Sequence, residues 1–343
     1  MKAAVCEEPR KITIKDIQEP RPGEGELLIK VKSVGISVLD VLAYMGLHPD
    51  ITYPMILGHE FSGEVAAIGK NVDDLSEGDE VIVEPLIPCE ECHFCVSGRY
   101  NMCKNMIMLG YNAQGAFAEY VVAKASMVYG KDDSLSYGEA VLIEPLSRAI
   151  HAIKQAGISI GDTVVIIGAG STALLTLQIT KRSGAIVVIA DTLTERLHFA
   201  ADLDADYALP TDDAKELVMA LTKGIGARFV IECTGKPQNL EKSTDLVSKG
   251  GTIIMMEPIG NKLVQLPLTK IVTDEIKLLG SMTYCRDFPI AIELADSRAV
   301  NLNSIISHEF ELSNISEAFE KLSEDQEDIT KAVINFSEGD SDL

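Results

Sequence analysis

Thr163-Val164-Val165-Ile166-Ile167-Gly168-Ala169-Gly170-Ser171-Thr172-Ala173 is an apolar run that breaks into glycines and continues into a helical stretch at 171–183. The pattern is G-x-G-x-x-A at the close of a strand. Gly168 permits a tight turn, and Gly170 lets the backbone approach a pyrophosphate. Ala173 is small enough for helix and strand to pack closely. The helix N-terminus then offers free N–H groups and a positive dipole end to phosphates. Asp191 follows the next apolar run, 185–190, about twenty residues on, where an acid binds the adenosine ribose hydroxyls. Its charge would repel a 2′-phosphate. The expectation is a site for NAD rather than NADP, with Gly168, Gly170, Ser171, Thr172, Ala173, Asp191 and Arg196 as its residues. The competing reading is an ordinary strand–turn–helix with a chance acid.

Further apolar runs occupy 229–233, 252–256 and 276–279, and a second helical stretch covers 193–203. Near-continuous apolar strands alternating with helices describe a parallel sheet buried on both faces. This texture runs from about Ser136 to about Gly280. Before it, up to about Tyr129, the chain is rich in Gly, Pro and short β-type runs such as Leu27-Leu28-Ile29-Lys30-Val31 and Val81-Ile82-Val83. After Gly280 the chain is expected to return to that first region. The predicted class is α/β, with a mainly-β domain at 1–147 and 284–343 and an inserted doubly wound parallel-sheet domain at 148–283.

Lys and Arg number 30 against 52 Asp and Glu, a formal net charge of −22. Such a field repels nucleic acid and anionic membrane, so neither is expected as a partner. No apolar run approaches a bilayer-spanning length. The start, Met1-Lys2-Ala3-Ala4-Val5-Cys6-Glu7-Glu8, carries charge where a signal peptide needs apolar residues, so a cytoplasmic location is expected. The tail Ser337-Glu338-Gly339-Asp340-Ser341-Asp342-Leu343 reads as a frayed, solvated end. Of seven cysteines, Cys6, Cys233 and Cys285 are scattered, and an odd count argues against a disulfide framework. Cys89, Cys92, Cys95 and Cys103 form C-x2-C-x2-C-x7-C. Four thiolates on one loop can close a tetrahedral zinc shell that does no chemistry, and an iron–sulfur cluster is the alternative.

Pro54-Met55-Ile56-Leu57-Gly58-His59-Glu60-Phe61-Ser62-Gly63-Glu64-Val65 resembles the G-H-E segment of the medium-chain, zinc-containing alcohol and polyol dehydrogenases. The four-cysteine lobe near 86–106 resembles that family's structural zinc lobe, and Gly115-Ala116-Phe117-Ala118-Glu119-Tyr120 resembles a further family segment. Glu144-Pro145-Leu146 is similar to the segment before the cofactor domain in sorbitol- and threonine-type members. The resemblance covers nearly the whole chain. It implies a GroES-like catalytic domain, a Rossmann domain and an active site between them. It also implies hydride transfer between a secondary alcohol and nicotinamide, with a zinc that polarises the alcohol oxygen. His59, Glu60 and Glu144 match the metal surroundings. A small alcohol or ketone substrate and a homodimer or homotetramer are implied as well.

The departure lies at the first ligand. The family pattern V-G-I-C-G-S-D-x-H reads here Val34-Gly35-Ile36-Ser37-Val38-Leu39-Asp40-Val41-Leu42. Ser37 stands where a cysteine ligand is expected. Leu39 and Leu42 replace the relay hydroxyl and a histidine. Asp40 keeps a position that orients the metal-binding histidine in the family. His59, Glu60 and Glu144 form a harder ligand set that could hold zinc and would tolerate Mn²⁺ or Fe²⁺. Three readings stay open: a metal-assisted NAD-dependent polyol dehydrogenase, a metal-free nicotinamide reductase or isomerising enzyme, and a catalytically silent NAD-binding relative. His48, His93, His151 and His308 read as ordinary residues. Tyr44, Tyr53 and Tyr111 are candidates to reach the cleft.

Overall fold

The chain begins with a hairpin, β1 (Lys2–Glu8) against β2 (Lys11–Asp16), in the computed structural model that describes residues 1–258, 262–324 and 329–336. The tail read as a solvated end lies outside the described residues. There follow β3 (Glu26–Ile36), α1 (Val38–Tyr44), β4 (Glu60–Ile68), β5 (Glu80–Val83), β6 (Leu86–Ile87), α2 (His93–Val96), β7 (Ile107–Met108), β8 (Tyr120–Lys124), β9 (Val128–Gly130), α3 (Tyr137–Ala140) and α4 (Ile143–Ala156). Next come β10 (Thr163–Ile167), α5 (Ser171–Arg182), β11 (Ile186–Asp191), α6 (Thr194–Asp202), β12 (Tyr207–Pro210), α7 (Ala214–Leu221), β13 (Ala227–Glu232), α8 (Pro237–Leu246), β14 (Val247–Met255), α9 (Leu268–Thr273) and β15 (Lys277–Gly280). The chain ends with α10 (Phe288–Asp296), β16 (His308–Glu311), α11 (Ile315–Ser323) and β17 (Ala332–Asn335). Among the described residues no helix is long and apolar enough to cross a membrane.

Two units result, Met1–Glu144 with the chain from Ile306 onward, and Pro145–Ile305. In the first, β3 is the centre of a sheet ordered β16-β17-β3-β4-β5-β9, and β8 also pairs with β3. The far end of β3 is buried on both faces, as its run Ser33-Val34-Gly35-Ile36 requires. Phe61, Phe117 and Phe319 are fully buried in its core, with the Phe117 and Phe319 rings 5.7 Å apart edge to face.

The second unit holds a six-stranded parallel sheet ordered β12-β11-β10-β13-β14-β15. Numbered along the chain this is 3-2-1-4-5-6, the doubly wound order whose strand reversal falls between β10 and β13. Val164, Val165, Ile166 and Ile167 are fully buried, as a central strand covered on both faces demands. The five strands expected from the sequence are present. β12, Tyr207-Ala208-Leu209-Pro210, is a sixth strand outside those five; it is four residues long, ends in proline and, as an edge strand, is only half-buried.

Residues 284–305 fall in the second unit, not in the first as expected. The reason is packing and charge. Tyr284, Phe288, Ala291 and Ala295 are buried. Asp287, fully buried, lies 2.8 Å from His151 Nδ1 and accepts from Lys154 Nζ at 2.7 Å, both from α4. Gln178 of α5 donates to the Asn301 carbonyl at 3.0 Å and accepts its N–H at 2.7 Å. His151 therefore has a partner that its sequence surroundings conceal.

Burial would raise the Asp287 carboxyl, but His151 and Lys154 outweigh it and hold it below the ordinary range. A depressed folded value stabilises above the unfolded carboxyl range and loses that contribution as acid protonates the folded group. Asp287→Ala is therefore expected to lower stability by about 2–3 kcal/mol at neutral pH. The deficit should shrink below about pH 4. Urea unfolding at both pH values checks this, and an undiminished deficit in acid would refute it.

Candidate active site and metal centres

Gly58 positions the first candidate residues. Its φ of +92° lies in the left-handed region that glycine occupies without steric cost. A Cβ there would press to 3.0 Å on both Phe117 and Val34. The turn delivers His59 and Glu60 to the head of β4, each only 2% exposed. Glu144, equally buried, comes from the first turn of α4. One ligand atom from each of His59, Glu60 and Glu144 lies within 4.8 Å of the others, and all three belong to the first unit. Burial disfavours a charged His59, but the carboxylates of Asp40, Glu144 and Glu60 outweigh it and lift its pKa to about 9. A buried imidazole ringed by carboxylates holds either a proton or a cation. His59 Nδ1 has no hydrogen-bond partner. One imidazole and two carboxylates suit a borderline to hard divalent ion.

Ser37 and Asp40 are committed to each other. Ser37 caps α1: its hydroxyl accepts the Asp40 N–H at 3.1 Å and donates to Asp40 Oδ2 at 2.6 Å, while its own N–H reaches the same oxygen at 2.8 Å. Asp40 Oδ1 accepts the Gly58 N–H at 2.9 Å. It lies 3.8 Å from His59 Nδ1, too far for a hydrogen bond, so Asp40 acts on His59 by charge and not by fixing its tautomer through a direct bond. Leu39 and Leu42 sit half-buried on α1. Tyr44 packs on Phe319 with ring centroids 5.1 Å apart, Tyr53 donates to the Ala43 carbonyl, and Tyr111 donates to Asp50 at 3.0 Å. Their side chains have structural partners.

Sequence reasoning missed Lys331. A single lysine before the apolar run Ala332-Val333-Ile334 reads as a surface charge, yet Lys331 is only 1% exposed. Its ammonium pairs with Glu60 Oε2 and donates to the Ile36 carbonyl at 3.2 Å. Gly35, between them on β3, makes room: a Cβ there would stand 2.5 Å from Glu60 Oε2 and 2.7 Å from Lys331 Cε.

The cysteine lobe is built on the short β6–β7 pair and α2. Sulfur separations are 3.4 Å for Cys89–Cys103, 3.6 Å for Cys92–Cys95 and 3.9 Å for Cys89–Cys95. A tetrahedron with zinc–sulfur bonds near 2.3 Å has edges of about 3.8 Å. Backbone N–H groups of Cys95 and Lys104 lower the Cys92 thiol to about 6, while burial and the neighbouring sulfurs push Cys95 up to about 12. Four sulfurs at such spacing would suit a cation among them, which would favour the thiolate form of each. Buried Glu84 ties the lobe down, accepting from Tyr100 at 2.7 Å and from Tyr129 at 3.0 Å.

In the second unit Gly168 has φ +103°, and a Cβ on it would meet Thr234 Cγ2 at 2.7 Å. Gly170 caps α5 without a side chain, and a Cβ there would meet nothing within 4 Å, which leaves open approach to the helix N-terminus. Ala173 is buried against the sheet. Asp191 accepts the Ala169 N–H at 2.6 Å and the Leu193 N–H at 3.0 Å, so it also braces the turn. Ser171 and Thr172 open α5, and Arg196 is half-buried on α6.

Because the Glu60–Lys331 pair fills the space beside Gly35, Gly35→Ala is expected to cost about 1–3 kcal/mol by overpacking. A chemical-unfolding midpoint equal to that of the parent protein would refute the packing described.

Comparison with known proteins gives these sites a context. The family profile described as "Alcohol dehydrogenase GroES-like domain" matches residues 23–133, and that described as "Zinc-binding dehydrogenase" matches 171–297. The chain is similar to L-galactonate-5-dehydrogenase of Escherichia coli (strain K12), 32% identical over 339 residues that cover 98% of this chain and 99% of the relative. It is similar to sorbitol dehydrogenase of Halalkalibacterium halodurans, 34% identical over 312 residues, with 89% and 91% covered. Among solved structures, an alcohol dehydrogenase from E. coli CFT073 complexed with NADH superposes with a TM-score of 0.91 at 28% identity, covering 98% of this chain and 99% of that one. A zinc-binding dehydrogenase from Sinorhizobium meliloti 1021 bound to NADP gives 0.90 at 28%, covering 97% and 98%. With near-complete coverage on both sides, the chain belongs to the zinc-containing medium-chain alcohol dehydrogenase family.

Proposed function

We propose that this chain is an NAD-dependent dehydrogenase that moves a hydride between a secondary alcohol of a polyol or sugar derivative and nicotinamide. A divalent ion held at the His59, Glu60 and Glu144 cluster assists. The observation that carries the reading is the meeting of these three buried side chains in a chain that also holds the glycine turn and Asp191. Relatives named for L-galactonate and sorbitol support the substrate class. When bound, the ion would polarise the alcohol oxygen and the nicotinamide would exchange the hydride.

The chain's own contribution is placement. His59 and Glu144 present donors from β4 and α4, and Asp40 adds negative charge behind the imidazole. Ser37 is spent on its cap and supplies no ligand. Each Asp191 oxygen accepts one backbone N–H and keeps acceptor capacity for a ribose hydroxyl, while its charge opposes a 2′-phosphate. The cysteine lobe holds a structural zinc, for which its sulfur spacing is suited. A homodimer or homotetramer is the expected assembly. One observation favours a second reading, a metal-free nicotinamide reaction: Lys331 already compensates Glu60.

Metal analysis joined to turnover decides between them. Purified enzyme should carry zinc in the lobe and a second, more readily chelated ion. Its removal, or His59→Ala, should lower polyol oxidation by about three orders of magnitude, the several kcal/mol a Lewis acid supplies. Full activity with lobe zinc alone, retained in His59→Ala, would establish the metal-free reading. Cys103→Ser should lower stability first and rate only through it.

The cofactor assignment has its own measurement. Asp191→Ala should weaken NAD binding by about 1.5–3 kcal/mol, roughly ten- to a hundredfold, and narrow the preference over NADP. Equal NAD and NADP affinities in the unaltered protein would overturn it.

A further inference from the structure

Glu84 follows the last residue of β5, where the chain leaves the sheet for the cysteine lobe. Its N–H donates to the Met127 carbonyl at 2.8 Å, and the residue is only 1% exposed. Its two carboxyl oxygens face different parts of the fold. Oε2 accepts from Tyr129 on β9, the strand that pairs with β5. Oε1 accepts from Tyr100, which opens the single helical turn Tyr100–Met102 directly before Cys103. The departing and the returning chain are thus joined at the mouth of the lobe, with Cys89, Cys92 and Cys95 between them.

The four cysteines are not held alike. Cys89, Cys92 and Cys95 belong to one run of local turns, in which their carbonyls accept the N–H groups of Glu91 at 2.9 Å, Val96 at 3.0 Å and Gly98 at 3.0 Å. Cys103 arrives later in the chain. Its N–H donates to the Tyr100 carbonyl at 2.8 Å, and its sulfur accepts the Cys89 N–H at 3.3 Å. Where Cys103 stands therefore depends on where the Tyr100 turn is set.

We propose that Glu84 is a positioning residue for the zinc of the cysteine lobe: through the Tyr100 hydroxyl it fixes the turn that presents Cys103, and so sets how slowly the ion is lost. This rests on the zinc reading of the lobe. The physical argument is preorganisation. A thiolate held in place re-forms its bond before a second one breaks. With the turn released, the order that Cys103 needs would be imposed at each binding event instead of by folding, and binding would weaken. Burial keeps the contact in force, because bulk water does not replace a lost donor there. Burial and the Glu84 charge also push the Tyr129 hydroxyl up, so the sheet-side partner stays a donor at neutral pH.

The test is zinc release from the full chain into an excess of chromogenic chelator, after brief chelation has cleared any ion from the His59 cluster. Tyr100→Phe keeps the ring and removes only the hydroxyl. Its lobe zinc is expected to leave at least ~10-fold faster, the scale of effects from groups that support a ligand. With the zinc partly withdrawn from this variant, iodoacetamide should label Cys103 before Cys89, Cys92 or Cys95. Tyr129→Phe removes the matching hydrogen bond on the sheet side; it should lower the thermal midpoint and leave the release rate unmoved. A merely structural Glu84 would make the two variants alike. Release at the parent rate in folded Tyr100→Phe, equal acceleration by Tyr129→Phe, or labelling that does not begin at Cys103 overturns the proposal. Should Tyr100→Phe fail to fold, Glu84→Gln decides by the same measurement, since it leaves one acceptor oxygen for two phenols: faster release supports the proposal, and the parent rate overturns it. The two readings fail differently. If the unaltered protein carries no zinc in the lobe, both fall. If it carries zinc and Tyr100→Phe releases it no faster, only the role of Glu84 falls.

Discussion

An ammonium and a carboxylate, buried together over a glycine, constrain the strand order of the first unit. Removing two such charges from water costs several kcal/mol each and is offset only by close pairing and further hydrogen bonds. The structure meets those terms with Gly35, the Ile36 carbonyl and the adjacency of β17, β3 and β4. The pair cannot form until the last strand has added beside β3, so it ties the returning chain to residues near the start. It also explains why the far end of β3 carries a glycine between Val34 and Ile36, a residue that elsewhere in a strand would only weaken it.

The same strip of sheet governs the candidate site. Gly58 turns the chain so that His59 and Glu60 enter β4 side by side, and its N–H reaches Asp40. Asp40 in turn belongs to the Ser37 capping box. The position where the family places a thiolate is thus occupied by a good helix cap whose hydroxyl already has a donor and an acceptor. A thiol would cap poorly, and a capped serine ligates poorly. Serine at position 37 and the capping box at the head of α1 are therefore one local feature.

The second unit concentrates its polar groups at the carboxyl ends of its strands, where a doubly wound sheet leaves its crevice. Gly168 lies so close to Thr234 that no side chain fits, and Glu232 accepts the N–H groups of Thr234 and Gly235 at 2.8 and 3.1 Å. Asp191 both braces the turn through Ala169 and retains acceptor capacity. One carboxylate therefore shapes the loop and, on the proposed reading, would also meet the ribose.

Sequence alone determined whatever is written within a short stretch. The central strands showed themselves as apolar runs, the glycine turn by its spacing, the cysteine lobe by its count, and Gly58-His59-Glu60 by its motif, because periodicity, turn chemistry and ligand spacing are properties of neighbours. Glu144 was legible through the proline and leucine that follow it. Tertiary structure decided what depends on distant segments meeting. β12 is a strand by its pairing with β11, since its four residues, closed by Pro210, are too few to announce one. Residues 284–305 join the second unit because Asp287 finds His151 and Lys154 on α4. Ser37 turns to Asp40 because a helix begins there. Lys331 reads as a surface lysine until β17 docks on β3. Side chains alternate faces along a strand, so a register shift of one residue would carry it to the opposite face. No run of residues around position 331 encodes that register; it is set by the packing of the whole sheet.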